Sequence, residues 1–178
     1  QPSGSTITLD ADLTGDDTSD TVKVPAGRTL TLDLNGHRLT LVGDDATGTA
    51  GLGVPAGTTL TIVDSAPGGA VGALNATGSY GGGGAAIGGA AGEAAGTIVI
   101  DGGAITARGE FDGAGIGGGG GGAGGATTIN GGTVTATGGD FAAGIGGGRN
   151  SAGGTIVING GTVTASNNNE MAAAIGGG

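Results

Sequence analysis

The sequence predicts an all-β chain wound as a parallel β-helix (β-solenoid) of about five turns, each of roughly 29–30 residues, with no helix. Three observations carry that prediction. Isoleucine recurs within the tetrad Ala-Ile-Gly-Gly or Gly-Ile-Gly-Gly at Ile87, Ile116, Ile145 and Ile175, at a nearly constant step. Short runs such as Thr133-Val134-Thr135-Ala136-Thr137 alternate polar and apolar residues and are bounded by Asn-Gly or Gly-Gly, which is the pattern of a strand with one buried face. No stretch repeats every 3.6 residues, and glycine is too frequent for a stable helix.

Further columns keep the same step. Ile100, Ile129 and Ile158 are evenly spaced, as are Ile105, Val134 and Val163, and the small residues Ala107, Ala136 and Ala165. Asp101-Gly102-Gly103, Asn130-Gly131-Gly132 and Asn159-Gly160-Gly161 mark equivalent turns. In the N-terminal half, Val24-Pro25-Ala26-Gly27-Arg28-Thr29-Leu30-Thr31-Leu32 recurs one period later as Val54-Pro55-Ala56-Gly57-Thr58-Thr59-Leu60-Thr61-Ile62. A longer spacer separates Ile62 from Ile100. The chain thus reads as one domain over residues 1–178. Residues 1–21 give an N-terminal strand and an acidic cap region, 22–84 irregular turns, and 85–178 regular glycine-rich repeats.

Two arrangements fit such strands. Hairpins would turn at Asn-Gly-Gly and pair neighbours in sequence. A solenoid pairs each strand with its copy one repeat away, placing Ile on Ile inside, Thr on Thr outside and Asn on Asn at corners. Identity at a fixed spacing favours the solenoid. One repeat alone buries too little to fold, so rungs depend on neighbours. The stretch from Met171 to Gly178 starts another copy and stops after its tetrad, leaving an expected open sheet edge. The runs Gly81–Gly84 and Gly117–Gly122 fit either loops or extended close-packed segments.

Composition read without the period points elsewhere. Of 178 residues, 49 are Gly and 4 Pro, and the net charge is -10. Those values suggest disorder, and the regular spacing overrides them. With no Cys there is neither a disulfide framework nor a thiolate metal site. The apolar runs are too short for a membrane-spanning helix. Five Lys and Arg against 15 Asp and Glu leave no electrostatic footprint for nucleic acid.

Candidate chemistry is sparse. Asp33 and Asp64 take near-equivalent strand positions and in principle flank a glycosidic bond, but no base accompanies them, so the chain is expected not to be an enzyme. Asp10, Asp12, Asp16, Asp17 and Asp20 share one loop, and the lone His37 follows Asn35-Gly36 at a turn. Calcium β-rolls place an Asp in each glycine-rich nonapeptide. Here Ala and Ile stand there, and Asp112 and Asp140 fall out of register, so no metal or cofactor is expected. The outward Thr133, Thr135 and Thr137, with Thr162, Thr164 and Ser166 one rung on, form the best binding candidate. Such a grid of hydroxyls and methyls suits an ice surface, and equally is ordinary exposed strand. Asp101, Asn130 and Asn159 read as a structural corner ladder, and Ile87, Ile116, Ile145 and Ile175 as a core column. Phe111, Phe141, Arg149 and Met171 lie in variable linkers as candidate contact points. The absence of Trp and the single Tyr80 weaken a carbohydrate platform.

Ala114-Gly115-Ile116-Gly117-Gly118, then Thr127-Thr128-Ile129-Asn130-Gly131-Gly132-Thr133-Val134-Thr135-Ala136-Thr137-Gly138-Gly139, resemble glycine-rich repeats of secreted and wall-attached proteins of Gram-positive bacteria. Leu32-Asp33-Leu34-Asn35-Gly36-His37 with Leu39-Thr40-Leu41 looks like that family's opening turn. The resemblance covers most of residues 22–178. It implies a right-handed parallel β-helix outside the cell, often one module of a longer protein and loosely described as carbohydrate-binding, and it assigns no binding residue. The expectation is a secreted or surface-attached, non-catalytic structural or adhesive module, such as a filament or stalk subunit. Its partners would be further copies stacked end to end, neighbouring domains or a surface glycan, with no nucleic acid and no membrane insertion. A carbohydrate-binding module and an ice-binding protein are the alternatives.

Overall fold

The computed structural model describes residues 4–15 and 22–178. Three six-stranded parallel sheets line the solenoid, and each rung lays one strand on each sheet in turn. The first rung is β1 (Ser5–Thr8), β2 (Leu13–Thr14) and β3 (Val22–Lys23). The second is β4 (Thr29–Asp33), β5 (Arg38–Val42) and β6 (Leu52–Gly53), and the third β7 (Thr59–Val63), β8 (Ala73–Thr77) and β9 (Ile87–Gly88). The regular rungs are β10 (Thr97–Ile100), β11 (Ala104–Arg108), β12 (Ile116–Gly117); β13 (Ala126–Ile129), β14 (Thr133–Gly138), β15 (Ile145–Gly146); and β16 (Thr155–Ile158), β17 (Thr162–Asn167), β18 (Ile175–Gly176).

Every strand pairs with its copy one rung away. Ile116 faces Ile87 and Ile145, and Ile129 faces Ile100 and Ile158. Asn130-Gly131-Gly132 therefore turns the chain from the first sheet to the second, and the hairpin reading fails. Among the described residues, the one antiparallel contact is an isolated bridge between Pro55 and Ala95. The long spacer also resolves: Ile62 pairs directly with Ile100, and the excess residues leave the rung in a loop holding a 3₁₀ turn at Pro67–Gly69.

Six rungs stand where about five were expected. The N-terminal segment assigned to a cap is itself a rung, since β1 pairs with β4, β2 with β5 and β3 with β6. Two of its strands are only two residues long, too short for alternation to reveal them. Of its acidic loop, Asp16, Asp17 and Asp20 lie outside the described residues.

The core is a narrow aliphatic column. Ile98, Ile100, Ile105, Ala107 and Ile116 fill one rung, each at most 1% exposed. Ile87, Ile116 and Ile145 are fully buried as expected, whereas Ile175 is 45% exposed because it lies in the last rung described. Beside each isoleucine of the tetrad, Gly88, Gly117, Gly146 and Gly176 take φ values of 136–145°, a region L side chains avoid. A Cβ on Gly117 would overlap the carbonyl of Gly146 in the next rung, so the long glycine run opens as close-packed strand. Gly117→Ala should therefore destabilise the fold by about 3 kcal/mol or more, read from denaturant unfolding.

Among the described residues, one buried polar side-chain atom has no hydrogen-bond partner. Thr127 pairs with Ile98 on one side and Ile156 on the other, is 1% exposed, and its buried hydroxyl has no hydrogen-bond partner. Replacing an unsatisfied buried hydroxyl by a methyl removes a desolvation penalty of about 1–3 kcal/mol. Thr127→Val should raise the denaturation midpoint without changing the slope of the transition.

Candidate functional site

Because strand residues alternate in and out, the outer faces carry the polar side chains and the corners carry the loops. Thr133, Thr135, Thr162 and Thr164 are exposed and Thr137 half-buried on the second sheet, in register as Thr133 against Thr162 and Thr135 against Thr164. Thr137 Oγ1 lies 3.2 Å from Ser166 Oγ. The next rung along presents Ala104, Thr106 and Arg108, so this grid is two rungs deep. A longer one lies on the first sheet. Thr29, Thr59, Thr97, Ala126 and Thr155 form one outward column, and Thr6, Thr31, Thr61, Val99, Thr128 and Val157 form its neighbour. Sequence reasoning missed this face because valine and alanine interrupt the threonine motif, although the Thr-x-Thr runs at 29–31 and 59–61 signalled it.

At the corner between these sheets the ladder forms. Asn159 Nδ2 donates to Asn130 Oδ1 at 2.7 Å, and Asn130 Nδ2 donates to Asp101 Oδ1 at 2.7 Å. In the second and third rungs, Asp33 and Asp64 tie loops together instead of flanking a cleft. Asp33 is 8% exposed and accepts hydrogen bonds from Ser65 Oγ (2.6 Å), Ser65 N (3.0 Å) and Asn35 N (3.0 Å). Asp64 accepts from Gly36 N at 2.8 Å and Gly72 N at 2.7 Å. With their oxygens engaged by backbone N–H groups, these carboxylates work as turn anchors. His37 Nδ1 sits 3.5 Å from Asp12 Oδ1, which also accepts from Arg38 N at 2.8 Å.

A second corner, between the second and third sheets, gathers the aromatic side chains. Tyr80, Phe111 and Phe141, the only aromatic residues besides His37, come from consecutive rungs, and Met171, the only methionine, takes the equivalent place in the next. The rings of Tyr80 and Phe111 are 6.5 Å apart and tilted by 52°, and those of Phe111 and Phe141 are 5.9 Å apart and edge-on at 86°. Arg149 lies over the Phe141 ring, 4.7 Å from its centroid, with Nη1 3.5 Å from Asp112 Oδ1. Arg108 Nε donates to Glu110 Oε1 at 2.6 Å, and Tyr80 N donates to Asp45 Oδ1 at 2.6 Å. Tyr80 is 65% and Phe111 40% exposed. Phe111 also holds a left-handed backbone, φ 46°, which is costly for a bulky side chain. Tyr80, Phe111, Phe141 and Met171 follow one another at close to the repeat period, so the sequence carried a signal for this fourth column.

At the first rung, an apolar cavity of about 140 Å³ opens between Ile7, Leu9, Leu13, Val22 and Leu30.

Residues 98–120, 128–149 and 156–178 each match a family model described as a beta helix repeat. The matched stretches fall on the three regular rungs, each running from the first sheet through the glycine tetrad of the third. No curated protein and no solved structure significantly matches the chain.

The Asp33 anchor makes stability depend on pH. Burial acts to raise its carboxyl, and the hydrogen bonds from Ser65 and Asn35 together outweigh it and hold the group below its ordinary value of 3.8. A depressed folded-state value means the contribution is complete above that pH and fades as the pH falls through the folded value. The thermal midpoint should drop as the pH falls below about 4, and Asp33→Asn should melt lower at neutral pH with a shallower acid drop.

Proposed function

We propose that this chain is a non-catalytic structural module of a bacterial cell surface, a rod that extends by adding rungs. The observation that supports this reading is the uniformity of the stack. Five successive rung-to-rung interfaces use the same parallel register in all three sheets, and the interior they enclose is mostly aliphatic, with Asp33, Thr58, Ser79 and Thr127 the buried polar residues among those described. Such an interior offers rigidity and a defined length, with no converging polar groups to act on a substrate. The carboxylates best placed for acid–base work, Asp33 and Asp64, are committed to backbone N–H groups.

Extension follows from the end rungs. Ile7, Leu13 and Val22 at one end are 37%, 49% and 42% exposed, and Ile158 and Ile175 at the other are each 45% exposed. These are the columns that neighbouring rungs bury elsewhere. Both ends also present parallel strand edges in the same three-sheet arrangement, so a further rung from another copy or from an adjoining domain continues the ladder. A head-to-tail joint of this kind does not close on itself and gives a filament.

Purified chain should sediment as a concentration-dependent series of species and appear in electron micrographs as unbranched fibres one solenoid wide. Ile158→Lys, which sets a charge in the joint, should leave the fold intact and abolish the fibres. A chain that stays monomeric at millimolar concentration would overturn end-to-end assembly.

A further inference from the structure

The aromatic corner is not needed by a rod, and its composition is unlike the rest of the surface. In a chain with two Phe, one Tyr and no Trp, all three of those rings stand in one column on the outside of the solenoid. Exposed aromatic surface at a corner held partly by a strained Phe111 backbone is the signature of a contact site. The question is what it contacts.

The chain's own Arg149 answers in part. Its guanidinium lies over the Phe141 ring and is paired with Asp112, which is the geometry of cation–π recognition backed by a carboxylate. Phe111 and Tyr80 repeat the ring one and two rungs away, and among the described residues no cation lies over either. Carboxylates accompany each position. Glu110 and Asp112 flank Phe111 in sequence, Asp140 precedes Phe141, Glu170 precedes Met171, and Asp45 holds the backbone N–H of Tyr80. Two of the chain's basic residues, Arg108 and Arg149, stand against these five acids, on a protein of net charge -10. The excess repels a polyanion. It attracts a cation.

We propose that the Tyr80–Phe111–Phe141 corner binds an arginine-rich peptide segment of a partner protein, with guanidinium groups seated on the Tyr80 and Phe111 rings as Arg149 sits on Phe141. This goes beyond the structural role and does not depend on filament formation. The rung repeat sets a ring every few ångströms along the axis, so an extended basic strand lies along the corner and meets successive rings.

The test uses the full chain and a hexa-arginine peptide at about 0.15 M salt, where charges beyond roughly 8 Å are screened. Tyr80 is the only Tyr and there is no Trp, so intrinsic emission reports from this corner alone. A saturable change in that emission is expected with hexa-arginine and none with hexaglutamate or a neutral gluco-oligosaccharide. By calorimetry, Tyr80→Leu with Phe111→Leu should weaken peptide binding about tenfold. Arg149→Ala clears the Phe141 ring and frees Asp112, and should tighten it. Thermal melts establish that the variants fold, and Tyr80→Leu alone, at the most exposed ring, serves if the double variant does not. Unchanged affinity in the leucine variants would assign binding to net charge and overturn the proposal. Weaker binding by Arg149→Ala, or an equal response to the oligosaccharide, would also overturn it.

Discussion

The parallel backbone ladder between rungs is the interaction from which the rest of the structure follows. It does not stop at strand ends. At the corner after the first sheet, Asn130 N donates to Ile100 O and Asn159 N to Ile129 O, both at 2.8 Å, and at the glycine tetrad Gly118 N donates to Gly146 O at 2.9 Å. A ladder continuous through corners locks each residue over its counterpart one rung away. Like side chains therefore meet like, and the interior becomes columns of leucine, isoleucine, valine and alanine instead of an irregular jigsaw. The same lock brings backbone against backbone at the third sheet, where Gly88, Gly117 and Gly146 leave room that no other residue leaves. Glycine abundance is thus a packing requirement of the ladder and not a sign of disorder.

That lock explains what could be read from the chain beforehand. Register appears in sequence as spacing, so Ile116 over Ile87 and Asn130 over Asp101 were legible from the constant interval alone. Two kinds of feature were not. Strands of two residues, such as Leu13–Thr14 and Val22–Lys23, are held by neighbours and carry no alternation of their own, so the first rung passed for a cap. The roles of Asp33 and Asp64 depend on Ser65 Oγ and Gly72 N, donors supplied by a loop that leaves the rung and obeys no period. The threonine pairs of the second sheet keep the constant interval and lie in register across two rungs. The longer threonine–valine face of the first sheet needed the register through the irregular spacer, which only the structure supplies.

Stability and surface chemistry are separated in space. The inside is largely aliphatic, and among the described residues Thr127 alone carries a buried side-chain polar atom with no hydrogen-bond partner. The outside differs by face: a first sheet of threonine and valine with Asp33 at a strand end, a second sheet marked by Arg38 and Arg108, and a corner where rings, arginines and carboxylates collect. The Asp101–Asn130–Asn159 chain adds direction, since each amide donates toward the carboxylate and the series has a charged end and an amide end. A rod with such polarity has distinguishable ends, as a head-to-tail joint requires.

The loops joining the second sheet to the third are equally long from Arg108 to Ile116 and from Thr137 to Ile145 but longer from Thr77 to Ile87 and from Ser166 to Ile175, while the strands on either side keep register. Insertions at that corner are absorbed before the ladder resumes. Descendants of this chain can accordingly drift in what the corner displays without altering the shaft, and gain or lose whole rungs by unequal exchange between near-identical repeats without altering the corner. The length of the stack and the chemistry of its corner are thus open to separate change.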